Sequence, residues 1–442
     1  MARQSRSREL GVWTNGMLVG HWQVPSRGAM AFTYEASWVE AKEARPLSLS
    51  IPINLDRLTV TGPQVANYFD NLLPDIEPMR RRIQARFGTP TRDPFDLLAA
   101  IGRDCVGAIQ LLPIGEEPGD VFSIRVSALS EARVESILQG VERPSNLSKD
   151  DDELRISLAG AQEKTALTRH RGRWCVPHGS TPTTHIFKLP LGLVGSRAFD
   201  LTTSVENEWL CSRILSAFGL PIAKCQMAQF GAMKTLIVAR FDRKLHESGA
   251  YWLRLPQEDF CQATATPSSH KYEAEGGPGL VQISRILQAS DTRDSDLAIL
   301  LHAQLLFWML GATDGHAKNF SIHLFAGGGF RLTPLYDVIS AWPIVGPKQN
   351  QLHQKKLKLA MALHGKNRHY RLAEIRRHHF DATARLCGLG PDMSAIIEAT
   401  IDATPKVIDR VEKELPSGFP ARIFETITHG LLRASRTLKG AA

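Results

Sequence analysis

Asp314-Gly315-His316-Ala317-Lys318-Asn319 is followed, eighteen residues beyond the asparagine, by Asp337 in Leu335-Tyr336-Asp337. An aspartate, an asparagine five residues on and a second aspartate past a short hairpin is the order of groups used in kinase phosphoryl transfer. The first carboxylate orients the acceptor hydroxyl, and the other two side chains hold Mg²⁺ on the ATP phosphates. The local pattern fits. Leu305 to Leu310 is an apolar helix end that Gly311 breaks, so 313–319 reads as a polar loop. Phe320 to Leu324 and Phe330 to Leu332 read as two strands around Gly327-Gly328-Gly329. Taken singly, Asp314 and Asn319 could equally cap a turn or satisfy a loop backbone. Taken as an ordered set, they point to phosphoryl transfer.

Working outward, Thr184 to Leu189 alternates like a buried strand, with Lys188 near its end. A strand lysine aimed into a cleft is how kinases hold the α- and β-phosphates, although a snorkelling edge lysine is the commoner occurrence. Val205-Glu206-Asn207-Glu208 opens an amphipathic helix. Either Glu206 or Glu208 could pair with Lys188, and spacing alone does not choose. Leu236 to Asp242 reads as a strand running into a polar link, whose backbone would meet an adenine edge. Ser157 to Thr165 is a small-residue loop before Lys188. It is no Walker A motif: Glu163 stands where glycine must precede the lysine, and Leu158 stands where the first glycine belongs. Its backbone amides could still approach phosphate.

Composition sets bounds. The 442 residues suffice for two or three domains, with 43% hydrophobic and 22% charged residues. A net charge of +8 suits contact with a polyanion, or plain solubility. The six cysteines form no C-x-x-C pair and read as reduced thiols. The basic N-terminus lacks an apolar stretch behind it, and no apolar run approaches the ~20 residues of a membrane helix. The expected location is the cytoplasm.

Along the chain, Leu10 to Gly20 reads as a hairpin around Asn15-Gly16, Leu47 to Pro52 and Gly107 to Leu112 as strands, and Asn67 to Pro74 and the run around Arg80-Arg81-Arg82 as helical. A boundary is expected near 145–152. Strands then dominate to about 243, and helices from about 257. The expected fold is α+β and two-lobed like a protein kinase, with a β-rich N-lobe at 151–255, a helical C-lobe at 256–442 and an N-terminal α+β accessory subdomain at 1–150.

Together, several ordered motifs resemble the HipA family of serine/threonine kinase toxins of bacterial type II toxin–antitoxin systems. They include Ala44 to Ser50, Phe69 to Asp75, Ser157 to Leu167, Thr184 to Pro190, Arg254 to Asp259, Glu275 to Gly279, Ala312 to Ser321 and Leu332 to Ala341. The resemblance implies Asp314 as catalytic aspartate, Asn319 and Asp337 as Mg²⁺ ligands and Lys188 as the ATP-phosphate lysine. It implies Ala159, Gly160, Ala161, Gln162, Glu163 and Lys164 as the loop over the phosphates. Ala239, Arg240 and Phe241 would form the link at the adenine; the family can carry glutamate where this chain has Ala239, so that contact would be through backbone. His316, Ala317 and Lys318 fall in the nucleotide-contacting loop, with Tyr336 beside Asp337. Ser157 matches the serine whose autophosphorylation switches such kinases off. The implied cofactors are ATP and Mg²⁺. The implied partners are a HipB-like helix-turn-helix antitoxin, operator DNA reached through that complex, and a protein substrate, an aminoacyl-tRNA synthetase such as glutamyl-tRNA synthetase, whose modification arrests growth. A non-catalytic co-repressor subunit and a small-molecule phosphotransferase are the competing readings.

Three further features have weaker meaning. Lys355, Lys356, Lys358, Lys366, Arg368, Arg371, Arg376 and Arg377 could touch DNA phosphates or form a solvated helix face. Gln257-Glu258-Asp259 could line a substrate groove or cap a helix, with the groove favoured. His378-His379 lacks a third metal ligand at useful spacing.

Overall fold

The computed structural model describes residues 8–142 and 162–440. Its first unit is built on the Asn15-Gly16 hairpin. Both residues take positive φ (46° and 87°), as a tight two-residue turn between right-twisted strands requires. Strands Arg8–Thr14 and Met17–Val24 thus lie side by side within a five-stranded antiparallel sheet, ordered 59–61, 31–34, 17–24, 8–14, 109–113. Helices Pro63–Asp70, Glu77–Phe87 and Pro94–Ile101 each carry proline in the first turn, where the missing N–H costs nothing. The core between sheet and helices centres on Trp22 stacked on Phe69, ring centroids 3.9 Å apart, with Phe32, Leu73 and Leu98 around them.

The strand expected at 47–52 does not form. Pro46 and Pro52 bracket it, the Ile51 amide turns back to the Ser48 carbonyl, and the Ser50 hydroxyl donates to the Gln262 carbonyl at 2.7 Å.

The second unit is a six-stranded sheet ordered 225–230, 233–239, 185–188, 164–170, 173–177, 126–128. Alternation along Met233–Ala239 decides its two faces. Leu236 and Val238 pack with Val205, Leu210 and Ile214 of helix Ser204–Ala217. Ile237 points the other way, onto Val134, Ile137 and Leu138 of helix Glu131–Glu142. Strand Val126–Ala128 and helix Glu131–Glu142 therefore belong to this sheet, although they precede residue 150. The packing places the division after strand Ile109–Pro113, earlier than the boundary expected from polar composition.

The third unit is helical. Arg293–Leu310 runs through its centre, buried at every position from Leu305 to Leu310 and ended by Gly311 at φ 61°. Helices 280–287, 377–387, 394–413 and 421–438 surround it. A small antiparallel sheet of 257–259, 321–324 and 330–332 lies against it and carries the polar loop. The fold is α+β and two-lobed. Among the described residues no helix is long and apolar enough to cross a membrane.

Candidate functional site

The helix end and the small sheet fix the loop between them. After Gly311, the Ala312 amide returns to the Phe307 carbonyl at 2.8 Å. A Cβ at Gly315 would lie 2.5 Å from the Phe307 ring, so only glycine lets the loop lie this close to the helix. Ala317–Asn319 makes a single 3₁₀ turn, with Ala317 fully buried beneath it. The Asn319 side-chain amide then donates to the Asp314 carbonyl at 2.8 Å and closes the loop on itself. Asp337 stands in the left-handed region at φ 61°, a conformation that aspartate tolerates better than most side chains.

One cleft between the lobes is lined by Asp314, His316, Lys318, Asn319, Tyr336 and Asp337 from this side. Gln162, Lys164, Lys188, Ala239, Arg240 and Phe241 line it from the other. Lys188 donates to Glu208 Oε1 at 2.6 Å and to Asp337 Oδ1 at 2.8 Å. Glu208 is thus the partner that spacing left open, and Glu206 pairs with Lys234 instead. Burial opposes the charge on Lys188, but Asp337 and Glu208 outweigh it and hold the ammonium charged. Burial also opposes the charge on Asp337, yet Lys188 and then Lys164 bring its carboxyl down to about 2. Lys164 lies directly across the strand pair from Lys188, and burial lowers it to about 8.

Asp314 is the exposed member, its side chain 63% accessible. Its Oδ1 accepts from the Tyr272 hydroxyl, and its Oδ2 lies 4.0 Å from Nε2 of the buried His316. Burial lowers the His316 pKa, so this imidazole tends toward the neutral form. Lys318 is nearly enclosed. It donates to Asp75 Oδ1 at 2.7 Å and to the Asn71 carbonyl at 3.3 Å, both on the N-terminal unit. Lys271 takes Asp75 Oδ2 at 2.8 Å. Two lysines bring Asp75 to about 2 against the effect of burial.

Several expected nucleotide contacts are spent within the fold. The Arg240 guanidinium forms two bonds with Asp242, at 3.0 and 2.7 Å, and others with Thr183 and the Cys105 carbonyl. The Arg240 amide donates to the Thr184 carbonyl and its carbonyl accepts from the Arg243 amide, so the residue borders the cleft without a group to spare for a nucleotide. Glu163 pairs with Arg82 of the N-terminal unit. Gln162 Nε2 donates to the Leu189 carbonyl at 2.6 Å, although the residue still borders the cleft. Ala159, Gly160, Ala161 and Ser157 lie outside the described residues. Asp259 caps helix Phe260–Ala263 in a capping box with Gln262, and Glu258 is fully buried and accepts from the Leu49 amide. The cap reading holds for Asp259 alone; Glu258 ties the helical unit to the N-terminal one, and Gln257 and Asp259 still border the cleft, as the groove reading expected. Of the basic stretch, Lys358, Lys366, Arg368 and Arg371 lie on the hairpin of strands Lys358–His364 and Arg368–Arg371, Lys355 and Lys356 on the turn before it, and Arg376 and Arg377 open helix Arg377–Cys387.

The residues that sequence reasoning missed are Tyr272 and Asp75. Each reaches the loop from a segment far away in the chain, and no local spacing marks either one.

The family model described as the HipA-like C-terminal domain matches residues 156–408, and that of the HipA N-terminal domain matches 10–112. The chain belongs to the HipA family. "Putative kinase Y4mE" of Sinorhizobium fredii is 33% identical over 91% of this chain and 92% of its own length. The serine/threonine-protein kinase toxin HipA of Shewanella oneidensis is 28% identical over 70% of each chain. A chain from the solved Shewanella oneidensis complex of HipA, HipB and operator DNA superposes with a TM-score of 0.78. It covers 98% of this chain and 97% of that one at 23% identity, a likeness of fold. The HipA family assignment spans both the cleft and the unit that supplies Asp75.

Proposed function

We propose that this HipA-family chain is an ATP-dependent serine/threonine-protein kinase acting as a growth-arresting toxin. One observation carries the reading: Asp314, Asn319 and Asp337 line a single cleft in which Lys188 is bonded to both Glu208 and Asp337. That arrangement has the groups needed to orient an acceptor hydroxyl and to offset phosphate charge.

ATP would enter with its adenine against the link. The amides of Ala239 and Arg240 already donate to Lys224 and Thr184, at 2.8 and 2.9 Å, so the Ala239 carbonyl and the Phe241 amide are the edge offered to it. Phe241 and Tyr336, ring centroids 5.7 Å apart, supply apolar surface. Lys188 would meet the phosphates. Asn319 and Asp337 are hard oxygen donors of the kind Mg²⁺ takes alongside phosphate oxygens, and both border the same cleft. When bound there, Mg²⁺ supplies charge neutralisation to the transferring group. Asp314, more exposed than its neighbours, would take a hydrogen bond from the substrate serine and accept its proton as the serine oxygen bonds to the γ-phosphorus and the bond from that phosphorus to the bridging oxygen breaks, with ADP as the leaving group.

The substrate would be a protein, an aminoacyl-tRNA synthetase such as glutamyl-tRNA synthetase. Ser157 would be the autophosphorylated residue that lowers ATP affinity, since a phosphate adds roughly −1.5 to −2 charge. A HipB-like antitoxin would hold the chain on operator DNA. Support for the antitoxin and the operator comes from the likeness to HipA in the Shewanella oneidensis complex of HipA, HipB and operator DNA and from the net charge of +8.

The test is phosphoproteomic. Cells expressing the chain are compared with cells expressing Asp314→Asn, and the purified protein is incubated with Mg·ATP and mapped for phosphosites. New phosphoserine on a synthetase and on Ser157, absent in the variant, is expected. Identical phosphoproteomes would overturn the kinase reading and favour a non-catalytic repressor subunit. Co-expression with a neighbouring helix-turn-helix gene should yield a complex whose DNA affinity falls with added salt.

A further inference from the structure

The N-terminal unit does more than stand beside the cleft. Its loop reaches the catalytic loop with a charged side chain. Asp75 divides its two oxygens between Lys318, at 2.7 Å, and Lys271, at 2.8 Å. Lys318 lies one residue before Asn319, within the turn that Asn319 closes on Asp314. Lys271 immediately precedes Tyr272, whose hydroxyl donates to Asp314 Oδ1. One carboxylate thus holds both arms that flank Asp314.

We propose that Asp75 is a positioning residue for phosphoryl transfer: through Lys318 and through Lys271–Tyr272 it sets the orientation of Asp314, so the N-terminal unit completes the acceptor side of the active site. The inference rests on the kinase reading above and deepens it.

The surroundings of Asp75 have the rigidity this role needs. Arg80 donates to the Pro74 carbonyl at 2.8 Å and to Asp70 at 2.7 Å, which fixes the turn that presents Asp75. The same unit grips the approach to Tyr272 at several points. Asn67 donates to the Ala265 carbonyl at 2.7 Å, Asn71 donates to the Thr266 carbonyl at 2.9 Å, and the Ser268 hydroxyl donates to Asp70. Ala265 sits at φ 54°, a left-handed conformation that alanine adopts only when its neighbours impose it. With one oxygen of Asp314 held by Tyr272, the other is left to the acceptor hydroxyl. Groups fixed in this way spare the reaction the cost of orienting its base. Burial makes each partner depend on the other. Lys318 and Asp75 are both largely withdrawn from water, so loss of either would leave the other's charge buried without its partner.

The test uses the full chain and Mg·ATP, reading labelled phosphate transferred to protein plus that released to water, with Mg·ADP affinity by calorimetry. Asp75→Asn should lower turnover at least tenfold while ADP affinity stays within twofold, and Asp75→Glu should recover part of the loss. Lys318→Met should cost less when added to Asp75→Asn than when made in the wild type, because the contact the two residues share is already broken. Should Asp75→Asn fail to fold, Asp75→Glu is read by the same split between turnover and affinity, and Tyr272→Phe, which removes a single hydroxyl, reads the arm that ends on Asp314. Turnover within twofold of wild type in the folded variant overturns the inference. So does a parallel loss of turnover and ADP affinity. A wild-type protein with no turnover at all overturns the kinase reading itself.

Discussion

Lys164 and Lys188 stand directly opposite one another on neighbouring antiparallel strands. Like charges in that register repel. Lys188 is answered by Glu208 and Asp337, and Asp337 also draws on Lys164. Two lysines thus meet two carboxylates here, and both ammoniums border the cleft where an entering triphosphate would compete with Asp337 for them. Nucleotide affinity therefore depends on the protonation of Lys164.

With burial lowering Lys164 to about 8, the folded protein releases this proton well before an ordinary lysine would. The unfolded chain binds more protons between about pH 8 and 10.4, so this group's contribution to stability rises with pH across that window. A bound triphosphate works the other way and favours the charged form. ATP affinity should therefore fall as pH rises above 8, with proton uptake on binding near that pH. Calorimetry in buffers of different ionisation enthalpy measures the uptake, and Lys164→Met should abolish it.

Asp314→Asn should reduce phosphoryl transfer about a hundredfold or more, the usual consequence of losing such a group. Its side chain is mostly exposed and its one close side-chain partner is the Tyr272 hydroxyl, so stability should change by no more than about 1 kcal/mol. Radiolabelled ATP and urea titration check the two halves. A large stability loss would make the activity result uninformative about chemistry.

Lys188→Met strands the Glu208 carboxylate, whose side chain is 6% accessible. Breaking a buried pair by removing one partner costs about 3–5 kcal/mol. Lys188→Met with Glu208→Gln should regain much of that stability without regaining activity. Equal stability of the single and double variants would contradict the pairing.

Asp104 joins the N-terminal unit to the link. It accepts from the Thr183 amide at 3.0 Å and hydroxyl at 2.6 Å, and from Arg243 at 3.0 Å, with Arg254 and Arg240 at 3.4 and 3.5 Å. Burial opposes its charge, but the three guanidiniums hold its carboxyl well below the usual range. A depressed carboxylate contributes stability above its unfolded value of about 3.9, and that contribution is lost progressively as pH falls below it. Asp104→Asn should therefore lower the urea midpoint clearly at pH 7, and the gap from wild type should narrow toward pH 3.

The ordered polar triplet was legible because each of its signals is local. Gly311 ends a helix, two short strands follow, and the loop between them has nowhere else to go. Lys188 was legible for the same reason, lying in an alternating strand. The choice between Glu206 and Glu208 was not. Both lie in the first turns of one helix, and only the packing of that helix against strand Met233–Ala239 sends Glu208 inward to Lys188 and Glu206 to Lys234. Arg240 and Glu163 carried the right charge in the right segments. Their partners, Asp242 and Arg82, are fixed by tertiary contact, which no spacing rule reports. Asp75 and Tyr272 depend on two chain segments nearly two hundred residues apart.

The early position of strand Val126–Ala128 and helix Glu131–Glu142 bears on how this polypeptide can be dissected. A fragment begun at 150 would discard an outer strand and leave Leu167, Phe187 and Ile237 without the helix that covers them. Its sheet would offer a bare hydrogen-bonding edge and an oily face, the two features that drive protein into inclusion bodies. A cut between 114 and 125 keeps the sheet whole, and the excised N-terminal piece, added back in trans, would bring Asp75 with it.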